Sequence, residues 1–67
     1  MEDLKNMDQL FITHSKSDYL RILKYMQQKE KCYILEAIGD DWHGDFMIKY
    51  RYKKYIKIND YGNIEEV

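Results

Sequence analysis

The sequence has 67 residues, of which 45% are hydrophobic and 34% are charged, and its formal net charge at pH 7 is -1. This length allows one small domain spanning residues 1–67 and excludes a chain of several domains. The lack of proline, the single cysteine and the lack of a long apolar run exclude a collagen-like chain, a disulfide scaffold and a membrane-spanning helix. The acidic start without an apolar stretch predicts a cytoplasmic protein.

A domain of this size gains little net stability from its own core. The free energy gained by burying apolar surface nearly cancels the entropy lost on ordering the chain. Neither a disulfide nor a structural zinc site can compensate, because Cys32 is the only cysteine. Docking on another molecule or self-association would therefore stabilise the fold, and we expect a binding partner.

The first thirteen residues allow two interpretations. Leu4, Met7, Leu10 and Phe11 recur at helical spacing, which predicts a short helix over residues 2–12. The end of the same stretch, residues 10–13, is equally compatible with a short strand. The sequence does not decide between them.

The next segment has the pattern of an amphipathic helix. Ser15 and Asp18 are residue types that stabilise a helix start, one through its hydroxyl and the other through its charge. Behind them an apolar stripe follows at helical spacing, formed by Tyr19, Ile22, Leu23 and Met26. We predict a helix from about residue 17 to residue 29.

The pattern then changes to that of strands. Residues 32–38 are apolar on both faces except at Glu36, which predicts a central strand. Residues 39–45 combine two glycines with three aspartates and predict a turn. A strict alternation follows, with Phe46, Ile48, Tyr50 and Tyr52 on one face and basic residues on the other.

The last third of the chain leaves one ambiguity. Either a single strand runs from residue 46 to residue 58 with a defect at Lys54, or the chain reverses near Lys53 and Lys54. Residues 59–63 predict a turn and residues 64–67 a short closing strand. The predicted fold is α+β, with one main helix, with or without the short N-terminal helix, packed on a three- to four-stranded antiparallel β-meander.

Catalytic and metal-binding patterns are weak. The loop at residues 40–45 contains three aspartates and His43, but Phe46 stands where an EF-hand loop requires glycine. His14 has no partner at a catalytic spacing, and Cys32 begins an apolar strand, where an inert thiol is typical. We predict no catalytic residues, no metal site and no cofactor, and thus a protein that is not an enzyme.

A basic segment is the strongest local signal for a ligand. The five cations between residues 46 and 59 are interleaved with tyrosines and accompanied by no acidic residue: Lys49, Arg51, Lys53, Lys54 and Lys57. Such a segment could contact phosphates and stack bases. The same alternation would, however, direct Tyr50 and Tyr52 into the core and leave an ordinary solvated face. Nucleic-acid binding is the alternative hypothesis.

Aromatic residues favour a protein partner instead. Trp42 and Tyr61 lie in predicted turns, and Tyr55 lies in the basic segment. These residue types often anchor interfaces, and we take all three as candidate protein-binding residues. The closing strand at residues 64–67 would also leave a free sheet edge, which favours a homodimer. We therefore expect a small non-enzymatic binding protein whose partner is a macromolecule of unknown identity, with no membrane association.

Composition gives a hint about the biological setting. The chain is rich in Lys, Ile, Tyr and Asp and lacks proline, which is typical of AT-rich coding DNA. This bias and the small size are consistent with an accessory protein of a phage or mobile element. Inhibition of a host enzyme or of an antiviral defence complex would be one such role.

Overall fold

A computed structural model describes residues 8–39 and 44–67 of the chain. Its elements in chain order are β1 (Asp8–Thr13), α1 (Lys16–Gln28), β2 (Tyr33–Ile38), β3 (Phe46–Arg51), β4 (Ile56–Ile58) and β5 (Ile64–Glu66). One helix packs on antiparallel strands, which confirms the predicted α+β class. The strands do not form one continuous meander, because they are divided between a three-stranded and a two-stranded sheet.

The segment at residues 8–13 is a strand. β1 pairs antiparallel with β3, so that Phe11 lies beside Ile48 and is almost fully buried, whereas its neighbour Leu10 stays exposed. A helix would have placed Leu10 and Phe11 together on its apolar stripe. The helix interpretation is therefore wrong from residue 8 onward, and residues 1–7 lie outside the described residues.

α1 follows the predicted helix to within one residue at each end. The Ser15 hydroxyl accepts a hydrogen bond from the Asp18 N–H at 3.2 Å, which satisfies one of the free donors of the first turn. Ile22 and Met26, one turn apart, are fully buried against the strands. The helix thus lies across one face of the three-stranded sheet.

The three-stranded sheet has the order β1-β3-β2, so β3 is its central strand. β2, which the sequence predicts as central, lies at an edge and pairs only with β3. Tyr33, Leu35 and Ile38 are exposed, because the helix covers only the opposite face of the sheet. Ile34, in contrast, is half-buried and packs against the core. The apolar pattern of β2 therefore belongs to an edge strand with uncovered outer side chains, and not to the central strand of the sheet.

The basic segment is broken between β3 and β4. β3 ends at Arg51, the chain bends at Lys53 and Lys54, and β4 begins at Ile56. A single strand running to residue 58 is therefore wrong. β4 pairs with β5 instead of folding back on β3. The buried Tyr50 hydroxyl accepts a hydrogen bond from the Ile56 N–H at 2.9 Å and so fixes the start of the second sheet.

The core lies between α1, the inner face of the three-stranded sheet and the start of β4. Its buried side chains are Phe11, Ile22, Met26, Phe46, Ile48, Tyr50, Tyr52 and Ile56. The alternation predicted for β3 is confirmed, because Ile48, Tyr50 and Tyr52 all face this core. Within residues 8–39 and 44–67, no helix is long and apolar enough to cross a membrane.

Candidate protein-binding surface

The side of the three-stranded sheet that faces away from α1 is a surface that no described element covers. Strand register defines its members, because residues paired across β3 share a face. We call this surface the outer face; it comprises Asp8, Leu10 and Ile12 of β1, Met47, Lys49 and Arg51 of β3, and Tyr33, Leu35, Glu36 and Ile38 of β2.

The outer face is unusually apolar for a solvated surface. Its five exposed apolar side chains each keep between 38% and 56% of their surface accessible: Leu10, Ile12, Tyr33, Leu35 and Ile38. A single exposed apolar residue is ordinary, but five on one sheet face, joined across β3 at Met47, are typical of an interaction site. No described element packs over this group.

Polarity changes across the outer face from one end of the strands to the other. At one end, Ile12, Met47 and Ile38 form a row that crosses all three strands without a charge. At the other end, the Arg51 Nε lies 2.8 Å from the Asp8 Oδ1 and lowers the pKa of that carboxyl. Two cations on the central strand are therefore flanked by one carboxylate on each neighbouring strand, Asp8 and Glu36.

Both edges of the three-stranded sheet are modified in ways that hinder strand addition. In β2 the register shifts between Ile34 and Glu36, so Leu35 forms a bulge. Beside β1, the Gln9 side-chain amide donates to the carbonyl oxygens of Tyr52 and Lys54, each at 2.9 Å. The chain leaving β3 is thereby held across the beginning of β1. The uncovered face, rather than an edge, is the accessible surface of this sheet.

The structure does not keep the five basic residues together as one free row. Lys49 and Arg51 lie on the outer face, whereas Lys53, Lys54 and Lys57 follow the break after β3. Three of the five are paired with carboxylates: Arg51 with Asp8, Lys54 with Glu66 at 3.7 Å and Lys57 with Glu65 at 3.8 Å. Much of the positive charge is therefore neutralised locally.

The candidate aromatic anchors lie apart from one another. Tyr61 is 87% exposed in the turn between β4 and β5. Tyr55 lies at the opposite end of this hairpin, where its backbone exchanges two hydrogen bonds with Val67. Tyr55 also lines a groove between β1 and β4, together with Ile12 and Ile58. Trp42 lies outside the described residues.

A cluster of polar side chains around the Glu66 carboxylate, which the sequence did not predict, joins the closing strand to the helix. We call it the Glu66 cluster. The Tyr25 hydroxyl donates to the Glu66 Oε2 at 2.6 Å, and the Lys29 Nζ lies 3.0 Å from the same oxygen. The Tyr52 hydroxyl and the Lys54 ammonium approach this carboxylate at 3.4 and 3.7 Å. The hydrogen bond from Tyr25, aided by the charge of Lys29, lowers the pKa of Glu66. The same hydrogen bond to the Glu66 carboxylate raises the pKa of Tyr25.

This cluster is best explained as a structural contact. Every group in it is engaged by another member, which leaves no free acid or base for a substrate. The only sequence signal was the spacing of Tyr25 and Lys29, four residues apart on one helix face. Glu66 lies 41 residues from Tyr25, and no local pattern reports a contact at that separation.

The remaining candidates for chemistry are not assembled into a site among the described residues. Burial raises the pKa of the half-buried Cys32 thiol, which disfavours the reactive thiolate. His14 is paired with Asp45 at the surface. Asp40, Asp41 and His43 of the predicted loop lie outside the described residues, and residues 8–39 and 44–67 contain no group of three potential metal ligands.

The comparisons with protein-family models, curated proteins and solved structures found no match. The geometry of the outer face is therefore the basis on which a function is assigned.

Proposed function

We propose that this chain is a non-enzymatic binding domain that docks on a protein partner through its outer face. The observation that carries this proposal is the group of five exposed apolar side chains on a sheet face that no described element covers. Removing such surface from water contributes about 25 cal/mol per Å² of apolar area. A protein partner with an apolar surface would therefore gain free energy by covering this face.

The charge distribution favours a protein over a nucleic acid. The two cations of the outer face, Lys49 and Arg51, are balanced by Asp8 and Glu36 on the same face. Nucleic-acid affinity depends on an excess of cations that can replace the counterions of phosphates. Local pairing of the basic residues reduces that excess, so nucleic-acid binding is the weaker candidate.

The biological setting of this function rests on composition. We propose a cytoplasmic accessory protein of a phage or mobile element, with a host enzyme or an antiviral defence complex as the inhibited partner. Tyr55 and Tyr61 are additional candidate contacts, and Trp42 is retained with them from the sequence. The homodimer that the sequence favours would use the same outer face and would therefore compete with such a partner for it.

A pull-down with matched variants tests the outer face. The tagged chain would be incubated with bacterial lysate, with and without nuclease, beside the variant Leu10→Thr/Ile12→Thr. Threonine keeps the β-propensity of both positions while removing apolar contact area, so the fold should persist. We expect the double variant to recover at least about tenfold less of the nuclease-resistant partner, which corresponds to about 1.4 kcal/mol of binding free energy.

Leu20→Ala is the control, because it removes an exposed apolar side chain on α1, outside the outer face. Equal recovery of the same proteins by the double variant and the unchanged chain would contradict the proposal. The nucleic-acid alternative would be established if the bound material disappears on nuclease treatment. It should then also disappear in the triple variant Lys49→Ala/Arg51→Ala/Lys53→Ala. A steep fall of affinity with salt would accompany that result.

A further inference from the structure

We infer that the outer face is a self-association surface, on which a second copy of this chain stacks its own outer face. The inference rests on the proposed function, because it names the partner that covers this surface. It would convert two half-covered sheets into a β-sandwich with an apolar layer between them, in which each sheet packs about 10 Å from the other.

Self-pairing through strand edges is less favourable than stacking of faces. The bulge at Leu35 interrupts β2, and the contacts of Gln9 hold the chain across the start of β1. β5 has only three residues, and two of them are Glu65 and Glu66. Short, charged or bulged edges disfavour the addition of another strand. We therefore place the contact between copies on the outer face and not on the edge at residues 64–67.

The charges of the outer face are complementary to those of a second copy. Its cations, Lys49 and Arg51, lie on the central strand, whereas its carboxylates, Asp8 and Glu36, lie on the two flanking strands. When two twisted sheets stack, their strands cross at an angle. The ends of each central strand then pass over the flanking strands of the other copy, which allows Arg51, at the end of β3, to approach a carboxylate of that copy.

Two-fold symmetry strengthens this arrangement. In a symmetric dimer every contact occurs twice, because the same surface serves both copies. Among the described residues Lys49 makes no ion pair within 4.0 Å, although its charge acts on Asp8, so its ammonium group can contact a carboxylate of the second copy. The outer face carries two cations and two carboxylates, so stacking brings no net charge of one sign between the sheets.

The area of the face sets the expected strength. Three six-residue strands, spaced about 4.8 Å apart with a rise of about 3.4 Å per residue, give a face of about 14 by 20 Å. This flat area is smaller than the roughly 800 Å² per partner of a standard specific interface, which implies a weak, reversible dimer. Association should therefore depend on concentration.

Sedimentation equilibrium of the full chain tests the association directly. We expect the average mass to rise from 8.3 kDa towards twice that value as the concentration increases from about 1 µM to about 1 mM. Leu10→Thr/Ile12→Thr should shift the midpoint of this rise to at least about tenfold higher concentration. Circular dichroism would verify that each variant keeps its secondary structure.

Charge reversal identifies the interface. Asp8→Lys/Glu36→Lys gives a face with cations only, and Lys49→Glu/Arg51→Glu gives a face with carboxylates only. Each variant alone should be monomeric because its faces repel, whereas an equimolar mixture should form a 1:1 dimer. If the copies met through another surface, these substitutions would not make each variant monomeric alone and dimeric only in the mixture.

Two outcomes overturn the inference. A chain that stays monomeric up to about 1 mM does not form the inferred dimer. If recovery in the pull-down still depends on Leu10 and Ile12 in that case, the proposed function remains, with a different protein as the partner. A dimer that persists in both charge variants uses another surface, such as the β5 edge. If the outer-face variants change neither the recovery in the pull-down nor the mass in sedimentation equilibrium, the proposed function is rejected as well.

Discussion

The hydroxyl of Tyr50 controls the position at which the chain leaves the first sheet. Its side chain is fully buried, and it accepts the Ile56 N–H at 2.9 Å. Tyr50→Phe removes the acceptor and leaves a buried backbone donor without a partner. We expect the free energy of unfolding to fall by about 1–3 kcal/mol, measured by urea denaturation.

Tyr61→Phe is the matched control, because the same atom is removed from a side chain that is 87% exposed. Its free energy of unfolding should change by less than about 0.5 kcal/mol. Equal stabilities of the two variants would mean that the bond to Ile56 does not hold the break between β3 and β4.

Among the elements, α1 depends on a serine at its start. The Ser15 hydroxyl accepts the Asp18 N–H, and Ser15→Ala would leave that donor to the solvent. We expect a loss of about 1 kcal/mol, which lowers the melting temperature of a domain this small by roughly 4–8 °C. Lys24→Ala, at an exposed position in the middle of the helix, is the control and should be neutral or slightly stabilising. Equal melting temperatures for the two variants would argue against the cap.

Some secondary-structure elements of this chain could be predicted from the sequence, and others could not. The stripe of α1 and the alternation of β3 were predicted correctly, because each element's own spacing reports the face that it buries. β1 could not be settled in this way, since Phe11 is buried by pairing with a strand almost 40 residues away. In β2 the apolar pattern predicted burial, but periodicity does not reveal whether a second layer exists to cover a face.

The candidate site was predictable only in part. Lys49 and Arg51 were identified from the sequence, and the structure places them on the outer face. The apolar members of this face were missed, because Leu10 and Ile12 come to share a face with Ile38 only by pairing with β3, which lies between them. Tyr61, selected as a turn aromatic, and Tyr55, taken from the basic segment, lie at opposite ends of one hairpin, a separation that residue type alone does not encode.

For the whole molecule, the Glu66 cluster links the helix, the bend after β3 and the closing strand. Because its carboxylate accepts from Tyr25 and pairs with Lys29, the pKa of Glu66 is lower in the folded chain than in the unfolded chain. The stability from this shift is fully present above the unfolded pKa of about 4.3. It is lost as the pH falls through the folded value, because the unfolded chain then binds the proton more readily.

Glu66→Gln tests this linkage, because glutamine keeps the size of the side chain but carries no charge. We expect thermal unfolding at pH 7 to show a loss of about 1–3 kcal/mol, since a hydrogen bond to a charged group is replaced by a neutral one. The difference from the unchanged chain should shrink towards zero as the pH falls below the folded pKa of Glu66. Glu65→Gln is the control, because its carboxylate is largely exposed and 3.8 Å from Lys57. A Glu66→Gln deficit that is the same at pH 3 and pH 7 would show that the loss comes from packing and not from the charge that joins β5 to α1.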